Sequence, residues 1–137
     1  MHTEAMIRTH PAVNGHVDAN LLRCIEECLD CAQTCTSCAD ACLGEESVAD
    51  LRQCIRLNLD CADLCAATAA IASRCTGSND AVLKAVILAC RDACNACAAE
   101  CEGHASMHEH CRVCAEACRR CEAACTTAAG AIKPSLQ

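Results

Sequence analysis

Small apolar side chains recur along this chain at steps of three and four, with charged side chains filling the gaps, and the recurring residue is most often cysteine. Cys24, Cys28, Cys31, Cys35, Cys38 and Cys42 step by 4, 3, 4, 3, 4. That spacing marks one face of an α-helix. Cys90, Cys94, Cys97 and Cys101 repeat it, as do Cys111, Cys114, Cys118, Cys121 and Cys125, and Cys54, Cys61, Cys65 and Cys75 form a sparser stripe between. Four helices are predicted. The first begins at Asp18 or Asn20 and stops at Gly44. The second opens at Ser47, with Asp50 three residues on in capping-box register, and runs past Cys75 to Gly77. The third starts around Ser78, Asn79 and Asp80 and stops at Gly103. The fourth opens on Ser106 and Glu109, an S-x-x-E box, and closes at Gly130 and Pro134.

Loops this short hold successive helices antiparallel, so the expected fold is all-α, an up-down-up-down four-helix bundle with a cysteine-lined core over residues 18–131. Residues 1–17 form an N-terminal arm, in which Thr3 to Thr9 is either a short helix or a mobile stretch, and residues 132–137 form a C-terminal tail. Antiparallel order puts Cys42, Cys54, Cys101 and Cys111 at one end. Cys24, Cys75 and Cys125 lie toward the other, which Leu83, Val86 and Ile87 should plug. From Cys24 to Cys42 the thiols span about 27 Å at 1.5 Å per residue, which describes a lined core rather than one site.

Composition changes how that core is read. The 137 residues suit one domain, yet contain no Phe, Tyr or Trp and only 23 Leu, Ile and Val, at net charge −7. Such a balance ordinarily points to disorder. Here 28 alanines and 19 cysteines oppose that reading, because Ala is the best helix former and free Cys buries like a small hydrophobe. An acidic chain without basic patches or aromatic stacking residues is unsuited to nucleic acid. Its uncharged stretches fall short of the roughly 20 apolar residues that cross a bilayer, and no secretory signal is apparent. A soluble cytoplasmic protein is expected, and in a reducing compartment dense cysteines are ligands more often than disulfides.

Thiolates select soft metals: monovalent copper, zinc or iron–sulfur clusters. Helical neighbours three or four apart, roughly 5 to 6 Å between Cβ atoms, can bring two sulfurs onto one ion. Charge separates copper from zinc. One monovalent copper per thiolate cancels the charge, whereas zinc held by four thiolates leaves about −2 per site, and uncompensated buried charge costs several kcal/mol per ion. Loading of about one copper(I) ion per cysteine follows, and this is storage rather than cofactor chemistry.

These residues carry a family resemblance. Heptad-spaced C-x2-C and C-x3-C pairs on four helices without aromatics resemble the cytosolic copper storage proteins of bacteria, over about residues 18 to 131. The resemblance implies a cysteine-lined bundle holding many copper(I) ions, often assembled as a homotetramer, with a copper chaperone as one source of metal. The second helix departs from the even pattern, with Thr68 and Ala72 between Cys65 and Cys75.

Past Cys101 the third stripe lands on His104; stepping back from Cys111 lands on Met107 and His108, and His110 lies on the flank. Imidazole and thioether accept copper(I), so these four form the expected mouth. Asn58 fills the stripe between Cys54 and Cys61 and reads as a polar residue at a helix edge that could offer an oxygen. His2, His10 and His16 have no such placement. A zinc–thiolate buffer is the main alternative. A thiol redox protein fits less well, because its C-x2-C pair belongs at a helix N-terminus and these lie mid-helix. No Ser/His/Asp set or inward carboxylate pair points to an enzyme.

Overall fold

The computed structural model describes residues 1–132 and contains five α-helices: α1 (Thr3–Arg8), α2 (Ala19–Leu43), α3 (Arg52–Ala72), α4 (Asp80–His104) and α5 (Glu109–Ala131). The tail beyond Ile132, with Pro134, lies outside the described residues. The four long helices pack in a closed square, α2 on α3, α3 on α4, α4 on α5 and α5 on α2. Each helix thus turns its stripe toward a shared axis, and 18 cysteines are buried there, with Cys75 the half-buried exception.

Asp18 caps α2 as its sequence position predicts, its Oδ1 accepting from the backbone N–H of Asn20 at 2.9 Å and Leu21 at 3.1 Å. Such a bond satisfies donors the helix itself cannot. Gly44 ends α2 and Asn79 precedes α4 at Asp80, both as expected, while other boundaries depart from expectation. Ser47 makes no capping bond and leads into a 3₁₀ turn, Val48–Leu51, before α3 begins at Arg52. Ser106 lies in the turn ahead of α5, whose N-cap position is held by His108. Gly103 and Gly130 are the next-to-last residues of α4 and α5, which end one residue beyond them, at His104 and Ala131. A helical glycine costs about 1 kcal/mol against alanine, too little to break a helix whose face is buried.

α3 ends earlier than predicted. The Ser73 hydroxyl donates to the Ala69 carbonyl at 2.6 Å, and the chain leaves the helix before Cys75. Gly77, at φ +70°, turns the loop that follows instead of capping the helix. Cys75 is therefore on a loop, its thiol 3.6 Å from the Ser73 carbonyl, and the α3 stripe stops at Cys65. Thr68 takes the next inward position, fully buried, its hydroxyl 3.4 Å from the Val86 carbonyl of α4.

The N-terminal arm forms the short helix α1. Asn14 and Gly15, both at positive φ, reverse the chain after it and bring Ile7 against the bundle. His10 Nε2 lies 3.2 Å from the Thr76 hydroxyl of the α3–α4 loop. The bundle end beside α1 is closed by Ile25 and Ile87, both buried, with Leu21 and Leu83 against them. Leu83 and Ile87 thus take the plugging place expected of them, while Val86 is not part of the core cluster and α2 supplies Leu21 and Ile25 instead.

Across the surface, Arg119 of α5 binds Glu102 at 2.7 Å and Asn95 at 2.8 Å on α4, and Arg120 binds Glu27 of α2 at 3.2 Å. Exposed pairs like these contribute about 0–1 kcal/mol each and set helix register more than stability.

Candidate metal centre

The four stripes converge into a continuous column of sulfur. At the plugged end Cys24 and Cys125 lie 3.8 Å apart. Further along come groups of four whose sulfurs all lie within 4.8 Å of one another: Cys28, Cys90, Cys121 and Cys125; then Cys31, Cys65, Cys94 and Cys121; then Cys31, Cys35, Cys61 and Cys118; then Cys35, Cys97, Cys114 and Cys118. Neighbouring groups share corners, with Cys121, Cys31, Cys35 and Cys118 each belonging to two. At the far end Cys38, Cys42, Cys54 and Cys111 make another group, beside Cys101, which lies 3.6 Å from Cys54.

Asn58 divides the column. Its side chain is fully buried, not at a helix edge, and its Oδ1 accepts from Cys97 at 3.0 Å, Cys114 at 3.3 Å and Cys101 at 3.6 Å. Its Nδ2 donates toward Cys54 at 3.8 Å. A buried amide must be satisfied, and here the surrounding thiols satisfy it.

Soft metal fits this donor set. With metal–sulfur bonds of roughly 2.3 Å, sulfurs stand about 4.0 Å apart around a three-coordinate ion and about 4.6 Å apart across a two-coordinate one. The closest sulfur pairs run from 3.5 Å (Cys35–Cys118) to 4.0 Å (Cys35–Cys97). Small rotamer adjustments reach either geometry.

At the open end the predicted histidines behave differently from one another. His110 approaches the thiols directly, its Nδ1 3.5 Å from Cys38 Sγ and 3.7 Å from Cys111 Sγ. Its Nε2 lies 3.3 Å from Glu45 Oε2, which also pairs with His108 Nδ1. The two imidazoles stack with centroids 5.5 Å apart. Burial works against a charged His110, but bonds with Cys38 and Glu45 outweigh it and raise its pKa. His104 pairs through Nε2 with Glu100 at 2.7 Å and leaves Nδ1 buried without a hydrogen-bond partner. Met107 is 70% exposed. The helical step back from Cys111 does not place it inward, because the chain between α4 and α5 is a turn. His2 and His16 are exposed.

Glu45 had no sequence signal of its own. It follows Gly44 in the α2–α3 connection, and only the antiparallel topology brings that connection to the α4–α5 turn.

Two thiols at the open end, Cys42 and Cys111, are held above the ordinary thiol range. Burial, followed by repulsion from Cys38, pushes Cys42 up to about 11, and burial raises Cys111 in the same way. Hydrogen bonds, that from Cys101 foremost, pull Cys38 down to about 6. A thiol raised in the folded state stabilises fully below its unfolded pKa of about 8.5 and loses that contribution as pH climbs through the folded value. A lowered thiol such as Cys38 stabilises above the unfolded pKa, so its effect no longer changes there. The melting temperature of metal-free, reduced protein should accordingly fall steadily from about pH 8.5 to 11, as read by circular dichroism under anaerobic conditions. A flat profile over that range would contradict the raised pKa of Cys42 and Cys111.

A family model described as copper storage protein matches residues 17–130. The chain belongs to the copper storage protein family. Among solved structures it is similar to Ccsp, the copper storage protein of Streptomyces lividans, loaded with 10 copper equivalents. Identity there is 60%, with a TM-score of 0.86 and coverage of 90% of this chain and 95% of that one. A second structure of the cytosolic copper storage protein from Streptomyces lividans, with five coppers, matches at 60% identity and TM-score 0.82, covering 83% and 95%. A variant of Ccsp with one histidine replaced by alanine matches at 58% identity and TM-score 0.83, covering 85% and 98%. The comparison with curated proteins returns no match. Family membership thus agrees with the cysteine column, the absence of strands among the described residues, and the absence there of any helix long and apolar enough to cross a membrane.

Proposed function

We propose that this chain stores monovalent copper in the cytosol, holding about one ion per core cysteine in thiolate clusters that run the length of the bundle. The carrying observation is the sharing of corners between four-thiol groups: Cys31, Cys35, Cys118 and Cys121 each serve two. Discrete tetrahedral zinc sites need four thiolates apiece, and shared thiolates cannot serve two such sites except as bridges. Copper(I) is content with two or three sulfurs and bridges readily, and one charge per thiolate leaves the interior neutral. A neutral interior avoids the desolvation cost that dianionic zinc sites would carry.

The ligands are the buried cysteines of the four stripes, with Asn58 Oδ1 as an oxygen donor at the break in the column. Binding requires the thiols to lose their protons, so loading releases acid. The role is acquisition, sequestration and release, with no reaction catalysed. Assembly of several bundles, a homotetramer by the family pattern, leaves the column of each chain intact. Counting bound copper per chain, with zinc in parallel, separates storage from a zinc buffer.

His110 is the first ligand at the open end, backed by His108 and His104, because its Nδ1 already lies beside Cys38 and Cys111. Replacing His104, Met107, His108 and His110 together by alanine should slow copper uptake about tenfold or more while leaving capacity within about one or two ions, since the cysteines supply the clusters. Stopped-flow absorbance of the copper–thiolate bands reads the rate. His110→Ala alone should account for most of the slowing, and unchanged rates would remove these residues from the uptake route.

A further inference from the structure

The thiol column also opens sideways. Between α2 and the first turn of α5 runs a groove of about 490 Å³, walled by Gln33, Ser37 and Ala41 on one side and Val113 on the other, with Cys38 and His110 as its floor. Cys38 belongs to the outermost four-thiol group and lies 3.5 Å from His110 Nδ1, which is in turn 3.7 Å from Cys111. The groove therefore ends on two copper-accepting side chains, Cys38 and His110, with Cys111 buried behind His110. Its volume falls in the range of small-molecule sites, roughly 300–1,000 Å³, and its concave shape admits a molecule rather than a protein loop.

Copper(I) is soft and, where thiols abound, travels bound to sulfur. Transfer then needs the donor sulfur and the accepting sulfur to reach the same ion together, which the groove floor permits at Cys38. The walls suit a peptide-like carrier. Gln33 donates one amide hydrogen to Ser37 Oγ at 2.7 Å and keeps its carbonyl oxygen for a ligand amide, while Val113, 45% exposed, and Ala41 offer an apolar strip. Glu109 at the rim is paired with Arg112 at 2.7 Å, so its charge does not repel a carboxylate-bearing carrier.

We propose that the α2–α5 groove binds the copper(I) complex of a low-molecular-weight, peptide-like thiol and that copper passes from it to Cys38. This rests on the storage reading and names the donor it implies. In the step, the bond between copper and the carrier sulfur breaks as the bond to Cys38 Sγ forms. Cys38 attacks as its thiolate, the carrier sulfur leaves as a thiolate that takes its proton from water, and copper stays monovalent throughout. Cys111 and His110 complete the shell before the ion moves on to Cys42 and Cys54.

The test compares two copper(I) donors, the glutathione complex and the weakly held acetonitrile complex, on the full chain, using Ser37→Trp and Val113→Trp separately. Both positions are exposed, so each variant fills the groove while leaving every thiol and histidine in the sequence, and helicity by circular dichroism verifies the fold. The wild-type rate should saturate with glutathione-complex concentration. Each variant should load at least about tenfold more slowly from that complex, keep its rate from acetonitrile within about twofold, and reach the same final copper per chain. Variants that load like wild type from glutathione, with rates linear in complex as docking of a protein donor at the bundle end would allow, overturn the proposal. Equal slowing from both donors overturns it as well. Loss of the storage reading would show separately, as wild-type protein that fails to take up many ions from either donor.

Discussion

Copper-loaded protein should melt far above metal-free protein, by at least about 15 °C. The metal-free bundle has little to hold it together: Ile25, Leu51 and Ile87 are its fully buried large aliphatic side chains, and alanine and cysteine fill the rest of the core. Small side chains bury little apolar area each, and stability scales with that area. Metal that binds only the native state adds about 4 kcal/mol per site at a free concentration a thousandfold above Kd. For a domain of this size 1 kcal/mol moves Tm by about 4 °C, so even one tightly held ion produces the shift and a filled column exceeds it. Thermal melts by circular dichroism, with and without copper under anaerobic conditions, give the comparison. Coincident melts would mean that metal does not complete the core.

Removing one shared thiol costs more than one ion. Cys35 has sulfurs of Cys118 at 3.5 Å, Cys31 and Cys114 at 3.7 Å and Cys97 at 4.0 Å, four neighbours drawn from α2, α4 and α5. It is a corner of two groups. Serine keeps the size and replaces a soft ligand by a hard one that copper(I) does not select, so Cys35→Ser should lower capacity by about two or three ions. Cys75→Ser, on the loop after α3, should lower it by less than about one ion, because the Cys75 thiol turns to the Ser73 carbonyl. Elemental analysis of desalted protein reads both. Equal losses from the two variants would contradict the bridged column.

The contrast between those cysteines shows what the sequence makes legible. A residue's place on a helical stripe follows from spacing alone wherever the helix is long and its face buried, and this locates the inward thiols of α2, α4 and α5 and the bundle they define. Spacing cannot show where a helix ends. Cys75 falls on the stripe's register, but α3 ends at Ala72 and leaves it on a loop; Gly103 and Gly130 look like stops, and each helix in fact ends one residue past its glycine, at His104 and Ala131. Asn58 was legible in position and misleading in kind, because a polar side chain on a stripe reads as an edge residue until the thiols that satisfy it are seen around it. Glu45 lay beyond reach altogether. Its partnership with His108 and His110 spans more than 60 residues and exists only once two loops meet at one end of the bundle. Met107 misses the inward stripe for the reverse reason, since the helical period was extended into a turn where it does not hold.

The central claim is a neutral, bridged copper(I) column, and an anaerobic titration of fully reduced protein tests it most directly. Bound copper is counted per chain by elemental analysis after desalting, with zinc run in parallel. Storage in the column predicts about one copper per cysteine, and far fewer zinc ions. Saturation at about four or five ions, with zinc retained equally well, would mean discrete tetrahedral sites and would contradict copper storage in this chain.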